Sequence, residues 1–442
     1  MKLKKIALLV AIAAASGSAF ATDGYFAHGY GMKAKGMGGA ATAVTGDTFG
    51  GANNPATMVW AGDRLDVGVD LFSPRRKVSR EGLAGPMAGY NGTSDSDSNL
   101  FLIPEFGYNK MLGWDMAVGV TVYGNGGMNT DYKPGLNGGA AAPSFATGCL
   151  GAPSNMLFGC GRLGVDLIQL VVAPTFAMKI NKDHSFGVSP LIAYQRFRVQ
   201  GLQAFDEMIS SSRGNTTNND REGSHGYGLR LGWLGKVSET VTLGAAYSTK
   251  IYMSKFGNYK GLFAERGDFD IPENYNFGIA VKATPKLNIA FDIQQINYSD
   301  VKSIANGVTN SLLAPPADPL GSSNGSGFKW RDQTAYKLGV EYEYSKDLML
   351  RAGYNYGKSP IRDDRDSVSF NIIAPAVVEQ HLTLGGTWTL ANKSELTVSY
   401  MHGFNNSISG PSATELLGIG PSTEKLKMYQ DSLGIAYGIK FQ

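Results

Sequence analysis

The chain has 442 residues, 43% of them hydrophobic and 17% charged, and its 58 glycines are about twice the usual share. A formal charge of +3 supplies no basic stripe to follow a phosphate backbone, which excludes nucleic acid as a partner. A mean hydropathy of −0.13, with no apolar run after residue 21 near the roughly 18 residues of a helical span, excludes a bundle of membrane helices.

At the N-terminus, Lys2, Lys4 and Lys5 precede the apolar run Ile6 to Ala15, and a small-residue stretch ends in Ala19-Phe20-Ala21. These are the charged, apolar and A-x-A parts of a secretory signal. Residues 1–21 are therefore expected to be a signal peptide, cleaved after Ala21 on export. Residues 22–61 do not alternate. They are rich in Gly and Ala and low in charge, yet carry Tyr25, Phe26, Tyr30, Met32, Met37 and Val44. That composition predicts a compact plug rather than a disordered arm.

From about residue 62 the period is two. Leu65, Val67, Val69 and Leu71 alternate with Asp66, Gly68 and Asp70, and the same dyad returns at Met116 to Val122, Leu229 to Trp233, Tyr336 to Tyr342 and Leu433 to Phe441. The pattern predicts fourteen strands, near 62–73, 99–110, 114–124, 163–181, 184–200, 224–238, 240–254, 271–284, 286–299, 328–345, 347–357, 377–391, 393–405 and 426–441. Tight turns and long connections strictly take turns between them. Even strand number, short turns on one side, long loops on the other and apolar alternation describe an outer-membrane barrel. Hydrocarbon offers no hydrogen-bond partners, so a sheet crosses it only when closed. The expected fold is all-β: a fourteen-stranded antiparallel transmembrane β-barrel over 62–442, with the 22–61 plug in its lumen. Trp60, Trp114, Trp233, Trp330, Tyr342, Tyr344, Tyr354, Tyr356 and Trp388 are expected in the aromatic girdles.

Cys149 and Cys160 share one Gly/Pro/Ser-rich connection with ten residues between them. Two thiols with no nearby His or third Cys leave a zinc site half built, so the pair is expected to be a disulfide staple in an oxidising compartment, and no metal is expected. Nor is enzymatic chemistry. The five histidines, His28, His184, His225, His381 and His402, show no H-E-x-x-H spacing, no G-x-S-x-G elbow occurs, and Ser399 and His402 have opposite parity on one strand. No cofactor motif is present.

Several short motifs coincide. Gly36-Met37-Gly38-Gly39-Ala40 is followed by Asn54-Pro55-Ala56; Ile271-Pro272-Glu273 opens the eighth strand, Phe328-Lys329-Trp330 the tenth, and Ser399-Tyr400-Met401-His402-Gly403 lies near the end of the thirteenth. With the signal peptide and the strand count, the chain resembles the FadL family of outer-membrane transporters for long-chain fatty acids and other hydrophobic compounds. Thr57 departs from the pattern, since many relatives carry Gly after Asn-Pro-Ala. The resemblance implies that Gly36, Gly38, Gly39, Asn54, Pro55 and Ala56 belong to a hatch inside the barrel. It also implies a kinked third strand that opens the wall sideways, for which Gly124-Asn125-Gly126-Gly127 is the candidate.

An amphipathic acid needs an apolar tunnel and a cation, because an unpaired carboxylate in a low-dielectric lumen is costly. Inward parity assigns Arg230, Lys282, Lys337 and Arg351 to the lumen; Arg196 and Arg198 share a face near the outer end of the fifth strand, and Lys329 sits at that of the tenth. Arg196, Arg198 and Lys329 are the expected ligand cations. Apolar loop residues, including Leu136, Phe145, Leu150, Met156, Leu157, Phe158, Phe205, Met208 and Ile209, offer a capture groove. The expected function is passive, hatch-gated transport of long-chain fatty acids or similar hydrophobic molecules by a monomer surrounded by outer-membrane lipid. The alternatives are hydrocarbon uptake within the same family, a general porin, or a surface adhesin or phage receptor.

Overall fold

The computed structural model describes residues 23–136, 142–313 and 318–441. The signal peptide and its cleavage site lie outside them. Sixteen strands form one sheet, of which fourteen make the wall. These are β1 (Arg64–Glu81), β2 (Phe101–Met111), β3 (Met116–Asn129), β4 (Gly164–Lys179), β5 (His184–Gln200), β6 (Glu222–Lys236) and β7 (Val241–Ser248), then β8 (Asn274–Thr284), β9 (Leu287–Ile296), β10 (Gln333–Ser345), β11 (Leu348–Gly357), β12 (Gln380–Thr389), β13 (Glu395–Pro411) and β14 (Thr423–Lys440). Each pairs antiparallel with its neighbours in sequence. β14 returns to β1 in continuous register from Arg64 opposite Lys440 to Glu81 opposite Thr423, which closes the barrel and removes its edges. Two short ribbons, Gly92–Asp95 on β1 and Tyr252–Met253 on β6, stand outside the closed set.

Alternation decides which face meets lipid. Leu382, Leu384, Leu433, Ile435 and Phe277 are 46% to 60% exposed because they point into hydrocarbon, while the intervening residues point inward. β1 and β13 run further than the apolar pattern marks, to Glu81 and Pro411. Past the hydrocarbon the outward side chains become polar, as at Arg75 and Lys77, and the apolar signal stops before the ladder does. Conversely β7 ends at Ser248. Two expected girdle residues are not in a girdle. Trp330 is buried and donates to Asn371 Oδ1 at 2.6 Å, and Trp60 is turned inside, its ring between the Lys179 and Lys236 ammonium groups and its Nε1 2.8 Å from Ser185 Oγ.

The segment from Asp23 to Trp60 packs against inward-facing groups of the wall, as at Ala41 on Asp292, Thr48 on Asp66, Asn54 on Trp233 O and Trp60 on Ser185. Met32–Lys35 make one helical turn and Pro55–Trp60 a short 3-10 helix capped by the Asn54 side chain. Across the outer end, the long connections pack into an apolar cap around Phe197, Phe256, Tyr259, Phe263, Tyr298 and Trp330. Cys149 and Cys160 are disulfide-bonded beside a second, smaller apolar cluster that includes Leu83, Tyr90 and Phe158.

Candidate functional site

Small residues let the N-terminal segment sit against the wall. Gly36 packs on Gly385 of β12, where an added Cβ would lie 3.1 Å from the Gly385 Cα. Gly38 and Gly39 have φ of +66° and +88°, and a Cβ on Gly38 would come within 2.8 Å of the Tyr354 backbone. Asn54 is fully buried; its Nδ2 donates to Thr42 O (2.7 Å) and to Trp233 O of β6 (2.9 Å), and its Oδ1 accepts from Ala56 N (3.1 Å). Thr57 donates its hydroxyl to Asn54 O at 2.8 Å.

Most cations inside the barrel already have carboxylate partners. Lys35 Nζ lies 2.7 Å from Asp70, Arg64 reaches Asp66 and Glu395, Lys33 meets Glu395 at 2.7 Å, and Arg351 meets Glu341 at 2.6 Å. Lys337 Nζ donates to His28 O and Gln294 Oε1 and lies 3.6 Å from Asp23. Burial, with Lys35 and Lys337 adding to it, pushes the His28 imidazole down to about 3, so it is neutral. Lys282 is exposed at the short-turn end. These pairs hold the plug rather than await a ligand.

The expected ligand cations are placed elsewhere. Gln195, Phe197 and Val199 are the inward residues at the top of β5, so Arg196 and Arg198 stand on the outward face above Ile192 and Tyr194. On that face they stand outside the lumen, so any contact they make with a ligand is not a luminal one. Lys329 is also outside a luminal site: its Nζ is 3.0 Å from Asp366, a carboxylate fixed by Thr309 N at 2.8 Å.

The buried cation that sequence reasoning missed is Arg76. It points inward, 6% exposed, with its Nη2 on Ser98 O, its Nε without a partner and no ion pair among the described residues. An unpaired buried guanidinium is costly unless an anion is expected. Arg76 lines a small cavity with Tyr25, Asn129, Trp330, Ile373 and Met428. Ile373 also lines a second, apolar pocket among the loops, walled by Leu157, Phe197, Phe205, Leu262, Phe263, Phe328 and Phe370. Of the residues expected to form a surface groove, Leu157 and Phe205 line this pocket, whereas Met156, Phe158 and Ile209 are buried in loop packing and Leu150 is 92% exposed.

The wall itself is broken beside this cavity. β2 pairs with β3 only from Phe106 opposite Val122 to Met111 opposite Ala117. Yet β1 follows β2 to Phe101, and β4 follows β3 to Asn129. The β3–β4 register slips between Gly124 and Gly126, as a bulge at Asn125 requires, and every residue from Thr121 to Asn129 is buried. There β3 meets the N-terminal segment: Ala27 N donates to Asn125 O (3.3 Å) and Gly127 N to Tyr25 O (3.2 Å). Against the break lies a cavity of about 650 Å³, lined by Leu100, Phe101 and Leu102 on one side and Asn129, Val165 and Ile168 on the other, with Arg196, Arg198 and Arg221 around it.

Ser399 faces inward against Met32 while His402 faces outward to Asp431, and no cluster of three metal-ligating side chains occurs among the described residues.

The family model described as outer membrane protein transport protein (OMPP1/FadL/TodX) matches residues 160–442. Among solved structures, the chain is similar to the Pseudomonas putida toluene transporter TodX, at 18% identity and a TM-score of 0.65 over 94% of this chain and 99% of that one. It is similar also to a Pseudomonas aeruginosa FadL homologue (14%, 0.67, 95% and 100%) and to the Ralstonia pickettii toluene transporter TbuX (17%, 0.62, 94% and 99%). No curated protein sequence matches. With the match spanning well over half its length and the barrel closed at fourteen strands, the chain belongs to the FadL/TodX family of outer-membrane transporters of hydrophobic compounds.

Proposed function

We propose that the protein carries long-chain fatty acids, or closely similar amphipathic acids, passively across the outer membrane as a monomer. The observation that carries this reading is Arg76, a buried guanidinium without an acidic partner, set one shared residue, Ile373, from an apolar pocket. A carboxylate beside Arg76 with its chain among Phe197, Phe205 and Phe328 satisfies both halves of such a ligand. In the same reading residues 23–61 are the hatch. Tyr25 to Ala27 occupy the inner side of the broken wall, so their displacement joins the Arg76 cavity to the opening between β2 and β3, and the ligand leaves sideways into lipid.

The rival within the family is an uncharged hydrocarbon, favoured by a loop pocket with no charged side chain in its lining. Uptake of radiolabelled oleate and of toluene, in cells lacking their own transporters, separates the two. The wild type is expected to take up oleate saturably. Arg76→Gln, which removes the charge and keeps a polar amide, is expected to reduce oleate uptake at low concentration by at least about tenfold, the worth of one charge-assisted hydrogen bond. Toluene uptake with no oleate uptake, from a correctly inserted barrel, overturns the fatty-acid reading.

A further inference from the structure

The outward faces of β1 and β14 carry four cations just where the lipid-facing side chains end. Register places Leu71 opposite Leu433, Ser73 opposite Asp431, Arg75 opposite Tyr429, Lys77 opposite Lys427 and Ser79 opposite Lys425, and alternation puts all of these on the outside. A tilted strand crosses the hydrocarbon in about ten residues. Counted from Leu65, opposite Ile439 near the short-turn end, that span ends at Arg75 and Tyr429. Tyr429 then lies at the outer interface and Lys77 and Lys427 at the depth of the lipid headgroups.

Like charges directly across an antiparallel pair destabilise it. Lys77 and Lys427 are such a pair, with Arg75 and Lys425 one outward position below and above. The protein's own carboxylates do not neutralise the group. Asp95 stands alone beside it, 3.6 Å from Lys77. Asp431, below, is engaged by His402 and Tyr400; Glu424 faces inward to Arg80; and Glu81 lies beyond the patch, opposite Thr423. From β13 the facing residues are Ser407 and Ser409, opposite Lys427 and Lys425, whose hydroxyls can donate to an anion.

We infer that this patch binds the phosphorylated headgroup of an outer-leaflet glycolipid, whose acyl chains lie along Leu71, Leu433 and Ile435. A phosphate between Lys77 and Lys427 turns the unfavourable contact into two charge-assisted ones, and its membrane-side position selects a phosphate that carries hydrocarbon. The site is independent of what the lumen transports.

The test uses the full-length purified protein in a non-ionic detergent, with bis-phosphorylated lipid A, the same lipid stripped of phosphate, and inorganic pyrophosphate as probes. The wild type is expected to bind the phosphorylated lipid at least about tenfold tighter than the stripped one. The Lys77→Gln/Lys425→Gln/Lys427→Gln variant should lose that preference, whereas Lys110→Gln, an exposed cation at the short-turn end, should keep it. Lys427→Gln alone, which leaves the ladder untouched, should show a smaller loss of the same sign. Equal binding of the two lipids by the wild type, or a preference that survives both neutralised variants, overturns the assignment. So does pyrophosphate competing as well as the phosphorylated lipid, since the site would then read free phosphate.

Discussion

Replacing Asn54 with Ala tests whether the N-terminal segment is held to the wall by a few specific contacts. One buried amide there satisfies three backbone groups: Thr42 O, Ala56 N and, on the wall, Trp233 O. At about 1 kcal/mol per hydrogen bond, plus part of the cost of leaving buried backbone groups without partners, Asn54→Ala should weaken the seat by about 3–4 kcal/mol. None of the fourteen strand ladders involves this side chain, so the loss falls on the segment and not on the barrel. A two-state equilibrium shifted by that amount raises the displaced population about 10²- to 10³-fold. Single-channel recording in planar bilayers should show rare openings for the wild type and frequent ones for the variant. Hydrogen exchange at residues 40–60 should accelerate in parallel, while heat-resistant barrel migration stays unchanged. Asn54→Asp, which keeps the acceptor for Ala56 N but sets a buried carboxylate oxygen against both carbonyls, should open at least as often as Asn54→Ala. Opening within about threefold of wild type, with exchange unchanged, would refute the idea that this amide latches the hatch.

Two further predictions concern the outer end. Because Arg196 and Arg198 face away from the lumen, the double change to Gln should leave the half-saturation concentration for oleate within about twofold of wild type, in contrast to Arg76→Gln; an equal loss in both would place the carboxylate at the outer cavity instead. In the connection before β8, burial first, and then the neighbouring Asp270 and Glu265 charges, push the Asp268 carboxyl up to about 6. A raised carboxyl favours the folded loop below its unfolded value near 4, and this contribution is lost as pH rises through 6. Amides 256–271, corrected for intrinsic exchange, should therefore be better protected at pH 4.5 than at pH 7.5, and Asp268→Asn should remove the difference.

The barrel could be counted from its alternation because lipid imposes one chemistry on the outward face over the whole membrane height. Above the membrane that constraint ends, and both faces of a strand become polar. Composition then no longer says which side is the lumen, and so residue type alone leaves the face of Arg196 and Arg198 open. Parity still carries the answer when it is counted up from the apolar belt. Ile192 and Tyr194 point outward, so Arg196 and Arg198 must as well; Leu71 points outward, so Arg75 and Lys77 do too, and Arg76 between them is the inward cation. The plug glycines were named from the family resemblance and not from any local pattern; in the structure Gly36 passes so close to Gly385 that a Cβ would be crowded. What no local pattern could supply are contacts made by distant segments. Lys329 is occupied because Asp366 arrives from another connection, and Gly124 to Gly127 turn inward because Tyr25 to Ala27, a hundred residues earlier, provide the hydrogen bonds that β2 gives up. A break in a barrel wall needs such a replacement partner, and so the segment that supplies it is also the one whose movement would change the opening.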